Sequence, residues 1–344
     1  MTTPGRIGIA EVECLENAVD GLRALDYRQG GAFSRDAVHV VKSVSLLLNW
    51  GAVPGGLRSR LLTVLADLHN LLGWTEFDIG RRVPARLRFD RALGLAAAAG
   101  NDDLMANICY RLGRLALHHD DIEGGLDHLR QGQAAAHRSD SPRAQAILTV
   151  NEAWALAKAG DERAALTSLA HAECQFENAG NWPSPRPWEA FFGTTDMAAM
   201  RGTVLTELAR TVTSRHCEEA IARLHDAVGG YGAEMSRSLA LTLIMLAQNH
   251  ALQGDFDEAV RTGTEALDLA RGLGSTRTKD RLAPLAALLR GHADPASRDL
   301  LARIDGYRAE PNPWPANRRP SRTAVAANPR HRPAQTPQPP QANT

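Results

Sequence analysis

The chain has 344 residues, 39 Lys and Arg against 39 Asp and Glu, 44% apolar residues and 5% aromatic ones. No stretch reaches 18 apolar residues, and residues 1–13 carry acids without an apolar run of leader length, so a cytoplasmic protein with no membrane association is expected, its four scattered cysteines reduced and buried. The zero net charge is unevenly placed: residues 311–344 hold five arginines and no acid, leaving −5 on the first 310, so the body lacks the clustered cations that direct DNA binding needs.

In chain order, Val12, Leu15, Val19, Leu22 and Leu25 recur at helical spacing and predict a helix over 9–25. Gly30 and Gly31 break it, a second helix is expected over 35–50, and Pro54, Gly55 and Gly56 separate the pair from the rest of the chain, making residues 1–56 an N-terminal cap.

A motif then returns about every 40 residues. Leu72, Gly73, Gly80, Ala85, Phe89 and Ala92 are followed at matching spacing by Leu112, Gly113, Asp120, Gly125, Leu129 and Gly132, then by Ala153, Gly160, Ala165, Leu169 and Ala172. A weaker copy keeps Leu208, Ala220, Leu224 and Ala227 without a turn glycine, and a last one reads Leu246, Ala247, Gly254, Asp255, Phe256, Ala259 and Ala266. Antiparallel helices approach closely only where small residues sit at the crossing and a large apolar residue fills the space beside it. Five such pairs over 57–274 predict a solenoid, each pair burying its apolar face on the next.

The fourth copy comes late. Between Ala172 and Ala227 lies a proline-rich stretch with Trp182 and Trp188, followed by Phe191 and Phe192. Prolines preclude a regular helix there, so a rigid loop is expected, serving either as a secondary partner contact or as a seal for an irregular junction. Residues 276–289 and 296–307 predict closing helices in a C-terminal cap over 275–308, and the Pro- and Arg-rich residues 309–344 predict a disordered tail.

The order of Leu246, Ala247, Gly254, Phe256, Ala259 and Ala266 resembles the tetratricopeptide repeat, which implies an all-α helical-hairpin solenoid; the usual repeat is shorter, about 34 residues. More narrowly, Leu71–Asp78, Phe89–Leu93, Pro187-Trp188 and Phe191-Phe192 look like the repeat domain of actinobacterial regulators that carry a helix-turn-helix ahead of such repeats. That resemblance implies a sensing array. The residues before the first repeat are too few for the DNA-binding front domain, so action through another protein is implied.

First helices of stacked pairs line a concave face, and the positions around the Leu-Gly pair point into it. This places Asn70, Trp74, Phe77 and Asp78 of the first repeat, Asn107, Tyr110 and Arg114 of the second, and Trp154 and Lys158 of the third in a groove, continued by Leu205, Ala209, Leu241 and Ile244. Trp, Tyr and Arg supply much of the energy at binding surfaces, so a protein or peptide partner is expected there. The competing reading puts Trp74 and Phe77 in the core and pairs Arg114 with an acid.

No nucleophile, phosphate-binding or metalloprotease motif is present, and the run His118-His119-Asp120-Asp121 reads as a solvated turn. No catalytic residue, cofactor or metal is therefore expected. The expectation is a non-enzymatic regulator or adaptor controlling gene expression, development or secondary metabolism. A receptor for a small diffusible signal and an accessory subunit of an enzyme complex stay open beside it.

Overall fold

The computed structural model describes residues 8–29, 55–180, 186–232, 235–273 and 275–311, and every regular element among them is a helix. The helix α1 (Ile9–Gln29) buries Val12, Val19 and Leu22 against α2 (Gly55–Asp78), and Arg60 of α2 grips Glu16 through two bonds of 2.9 and 2.6 Å. Gly55 and Gly56 form the first residues of α2. The helix expected over 35–50, Trp182 and the tail beyond residue 311 lie outside the described residues.

From α2 onward the helices pair. α2 folds on α3 (Arg82–Ala99), α4 (Asp102–His118) on α5 (Ile122–Arg138), and α6 (Pro142–Lys158) on α7 (Glu162–Ala179). Then α8 (Thr194–Thr211) pairs with α9 (Cys217–Gly230) and α10 (Ser236–Gln253) with α11 (Phe256–Leu273). The turns inside four of the five hairpins use one residue in the left-handed region: Gly80 (φ 81°), Asp120 (58°), Gly160 (77°) and Gly254 (84°). Aspartate is among the few side chains that tolerate this backbone, which explains why Asp120 can stand where its counterparts are glycine. In three of these four the next residue then caps the second helix: Asp121, Asp161 and Asp255 accept from the amides of Gly124, Ala164 and Glu258 at 3.0, 3.0 and 3.2 Å.

The crossings are steric. A Cβ on Gly73 would lie 2.7 Å from the Phe89 ring, one on Gly113 2.9 Å from Leu129, and one on Gly132 2.6 Å from Leu148 of the next hairpin. Hairpin four differs. Its close approach is Gly202 against Leu224, upstream of the Leu208 that marks the copy in sequence, and the chain leaves α8 through Val212, Thr213 and a 3-10 turn, Ser214–His216.

Of the four cysteines, Cys109 and Cys217 are buried as expected, but Cys14 and Cys174 are exposed, because each falls on the outward face of its helix. Burial pushes the Cys109 thiol up to about 12 and raises Cys217 as well. The closing helix expected over 276–289 is broken into α12 (Thr276–Arg281) and α13 (Ala283–Arg290): Pro284, in the first turn of α13, has no amide to offer the preceding turn. The last described helix is α14 (Pro295–Ala309), and Gly263 of α11 packs close to its Leu300. No helix among the described residues is long and apolar enough to cross a membrane.

Candidate functional site

The first helices of successive hairpins touch one another in series, α2 to α4 to α6 to α8 to α10, which makes theirs the inner face. A polar ladder joins them. Asn70 donates to Asn107 (2.9 Å), Arg114 to Asn151 (3.2 Å), the Trp154 indole to Glu207 (3.3 Å) and Asn249 to Thr206 (2.7 Å). Amide and indole groups buried between helices need such partners, and here each helix supplies the next.

Two chain segments lie across this inner face. The loop after α7 reaches back over hairpins one to three: the Trp188 indole donates to Asp67 of α2 (2.9 Å) and Asn107 donates to the Trp188 carbonyl (3.0 Å). Arg186 pairs with Asp103, Glu189 accepts from Ser141, and Arg143 donates to the Phe192 carbonyl (2.6 Å). Phe192 is buried against Phe176, while Phe191 stacks on Tyr110 with centroids 5.8 Å apart. Trp188 thus reaches hairpins one and two, whereas Phe192 packs at the junction between α7 and α8.

The second segment is Ser275 with α12, which returns from the last hairpin to the first. Asp78, at the end of α2, accepts from Ser275 and from Arg277, both at 2.9 Å, and Arg237 of α10 lies 3.0 Å from its other oxygen. Burial alone would raise the Asp78 carboxyl, yet Arg237 and Arg277 carry it below the usual carboxylate range. Gly80 fits beside Thr276 so closely that a Cβ there would come within 2.9 Å. His118 is not part of a solvated turn: its side chain is largely covered and its Nε2 meets Asp280 at 2.9 Å. Burial lowers its imidazole, so it is neutral at pH 7 and donates from Nε2.

An open groove is therefore replaced by a closed one, and the residues expected to line it divide. Asn70, Phe77, Asn107 and Trp154 are buried, Trp154 to 1% exposure, and Asp78, Leu205, Ala209 and Ile244 are buried too. Trp74, Tyr110, Arg114, Lys158 and Leu241 remain partly exposed, with Lys158 paired to Asp120 at 2.8 Å. Of the proline-rich loop, Trp188 and Phe191 are half-buried.

What remains between loop and α12 is a cavity of about 170 Å³. One wall is aromatic: Trp74 stacks on Tyr110 at 6.4 Å, and Tyr110 on Phe191. Met200, Leu241 and Met245 also line the cavity, with Tyr231, whose hydroxyl burial pushes up to about 12. Arg111, Arg114, Arg237 and Arg277 line it as well. Arg277 lies over Trp74 (4.8 Å) and Arg111 over the same ring (5.1 Å), while Arg114 and Arg281 flank Trp154 (4.9 and 4.7 Å). Shielding from water lowers Arg277 and Arg281, the latter to about 10, with Arg114 adding repulsion to both; each still keeps its charge at pH 7. Of the cavity arginines, the sequence pointed only to Arg114. Arg111, Arg237 and Arg277 come from a helix flank, a later hairpin and the cap, and no spacing links them.

No protein-family model matches this chain, and no curated protein matches it. Among solved structures, a Rap protein complexed with Competence and Sporulation Factor matches with a TM-score of 0.51, covering 87% of this chain and 90% of that one at 14% identity. The fold is a tetratricopeptide-type helical-hairpin solenoid. In this solenoid hairpins one to three follow the expected period, whereas the loop and α12 lie across the inner face beside a cavity.

Proposed function

We propose that this solenoid is a non-enzymatic, cytoplasmic regulator or adaptor that takes a peptide or protein segment into its concave cavity and passes the signal to gene expression, development or secondary metabolism through a partner. The observation that carries this is the convergence of a three-ring aromatic stack and four guanidinium groups on one cavity. Aromatic and Arg side chains in a shielded pocket are the usual anchors of recognition. The Rap protein that shares the fold was solved complexed with Competence and Sporulation Factor, which supports a ligand on this architecture.

Closure on two sides also favours a second reading, a receptor for a small diffusible signal. The deciding experiment is affinity capture from the native cytoplasm with the wild-type chain and with a Trp74→Ala, Arg114→Gln variant that melts like it. A polypeptide retained only by the wild type is expected. Equal retention by both moves the contact off the cavity, and a retained small molecule without a polypeptide replaces the first reading by the second.

A further inference from the structure

We infer that the occupant of the cavity carries a carboxylate next to an aromatic or large apolar group, the carboxylate seated on Arg114 and the apolar group on the Trp74, Tyr110 and Phe191 wall; this rests on the segment-binding reading above. The charge of the site sets the sign. Among the described residues, four guanidinium groups and one carboxylate, Asp196, line the cavity, and that carboxylate is committed to the backbone amide of Gly193 at 3.0 Å. One further acid, Asp78, stands behind Arg237 and Arg277 and serves both. These guanidinium groups gather inside a body whose first 310 residues are net −5. Like charges gathered on a shielded surface repel one another, so an entering anion relieves a cost that a neutral ligand leaves and a cation increases.

Arg114 is placed to receive that anion. Its donors reach a neutral amide oxygen, Asn151 Oδ1 at 3.2 Å, and the Met200 sulfur at 3.4 Å; no carboxylate among the described residues lies within ion-pair distance of it. The guanidinium is laid over the Trp154 ring at 4.9 Å, which fixes its plane and leaves edge N–H groups for a two-point contact with a carboxylate. It also borders both the main cavity and the smaller one beside Phe77 and His118. The Trp74, Tyr110 and Phe191 column supplies apolar ring edges to the same cavity.

The test uses the full chain and three probes of one size and different charge: 3-phenylpropionate, 3-phenylpropionamide and 3-phenylpropylammonium, titrated by ligand-observed NMR at low and high salt. Expected is an affinity for the carboxylate at least about tenfold above the amide, with the ammonium weakest, and a carboxylate preference that shrinks as salt rises. Arg114→Gln should remove about tenfold of carboxylate affinity while leaving the amide within about twofold, and Arg114→Lys should restore part of it. Equal binding of carboxylate and amide overturns the inference, as does a preference that survives Arg114→Gln; should that variant fail to fold, the order of the probes on the wild type decides. Acetyl-Phe-Asp-amide, acetyl-Phe-Asn-amide and acetyl-Ala-Phe with a free end then separate an acidic side chain from a chain terminus. A captured polypeptide with indifferent probes defeats only this inference, whereas ordered probes with no captured polypeptide defeat only the segment-binding reading.

Discussion

On α4, Gly113 meets Leu129 of its own hairpin, whereas its neighbour Arg114 reaches Asn151 on the next, and Asn107 is tied to the Trp188 carbonyl 81 residues on. The crossings are short-range, apolar and repeated; the contacts by which the loop and α12 lie on the inner face are long-range, mostly polar and made once. A crossing fails when volume is added. An inner-face contact fails when a charge or a donor is removed, and its failure should open the closure while the hairpins stand.

The largest effect expected along this divide is that of Asp78→Asn. Removing one member of a buried ionic group takes from Arg277 its carboxylate partner, a loss of about 3–5 kcal/mol. Hydrogen exchange should show α12 losing protection before α3 to α7; retention of α12 protection in the variant would falsify the closure. Because the Asp78 carboxyl is held low in the folded chain, its contribution is present above about pH 4, its unfolded range, and is lost as pH falls through the still lower folded value.

Next comes a titration on the hairpin side. Arg88 donates to Nδ1 of His69 at 3.3 Å, which requires that nitrogen to be unprotonated, and burial reinforced by Arg88 and Arg91 holds the imidazole down at about 4. The unfolded imidazole takes its proton near pH 6.5, so the unfolded chain binds more protons below that point. Stability should fall by up to about 3 kcal/mol between pH 6.5 and pH 4. Urea unfolding of the wild type and His69→Gln across that range measures the difference, and parallel curves would remove His69 as its source.

Gly73→Ala sharpens the steric half. The added methyl would sit 2.7 Å from the fully buried Phe89 ring, costing about 1–3 kcal/mol, and Phe89→Leu in the same chain should recover part of the loss. Additive melting shifts for the two changes would show that they do not meet. The smallest effect is that of Asp161→Ala, which deletes the cap on α7 and should cost about 1 kcal/mol, with exchange quickening only at the start of that helix.

The helical repeat was legible because each of its parts is a local rule. Gly73 with Phe89 and Gly160 with Asp161 declare a crossing and a turn within a few turns of chain. Hairpin four was misregistered because its crossing residue, Gly202, has no turn glycine after it to set the frame. Of the expected groove residues, Trp74 and Arg114 reach the cavity, but Trp154 is covered by Arg114 and Arg281, and Asn70 and Asn107 are spent on each other. Helix periodicity identifies which side a residue faces. It cannot tell whether another segment will lie there.

By itself the sequence determined that this chain is helical, that its helices pair about every 40 residues and where most of its turns fall, since backbone strain at a left-handed residue and the volume of a side chain at a crossing act between near neighbours. Only the tertiary structure decided that the inner face is closed and positively lined. That outcome depends on pairs such as Arg277 with Asp78, 199 residues apart, and such pairs have no period: a carboxylate and a guanidinium become partners only when the curvature of the whole array brings α12 back to α2.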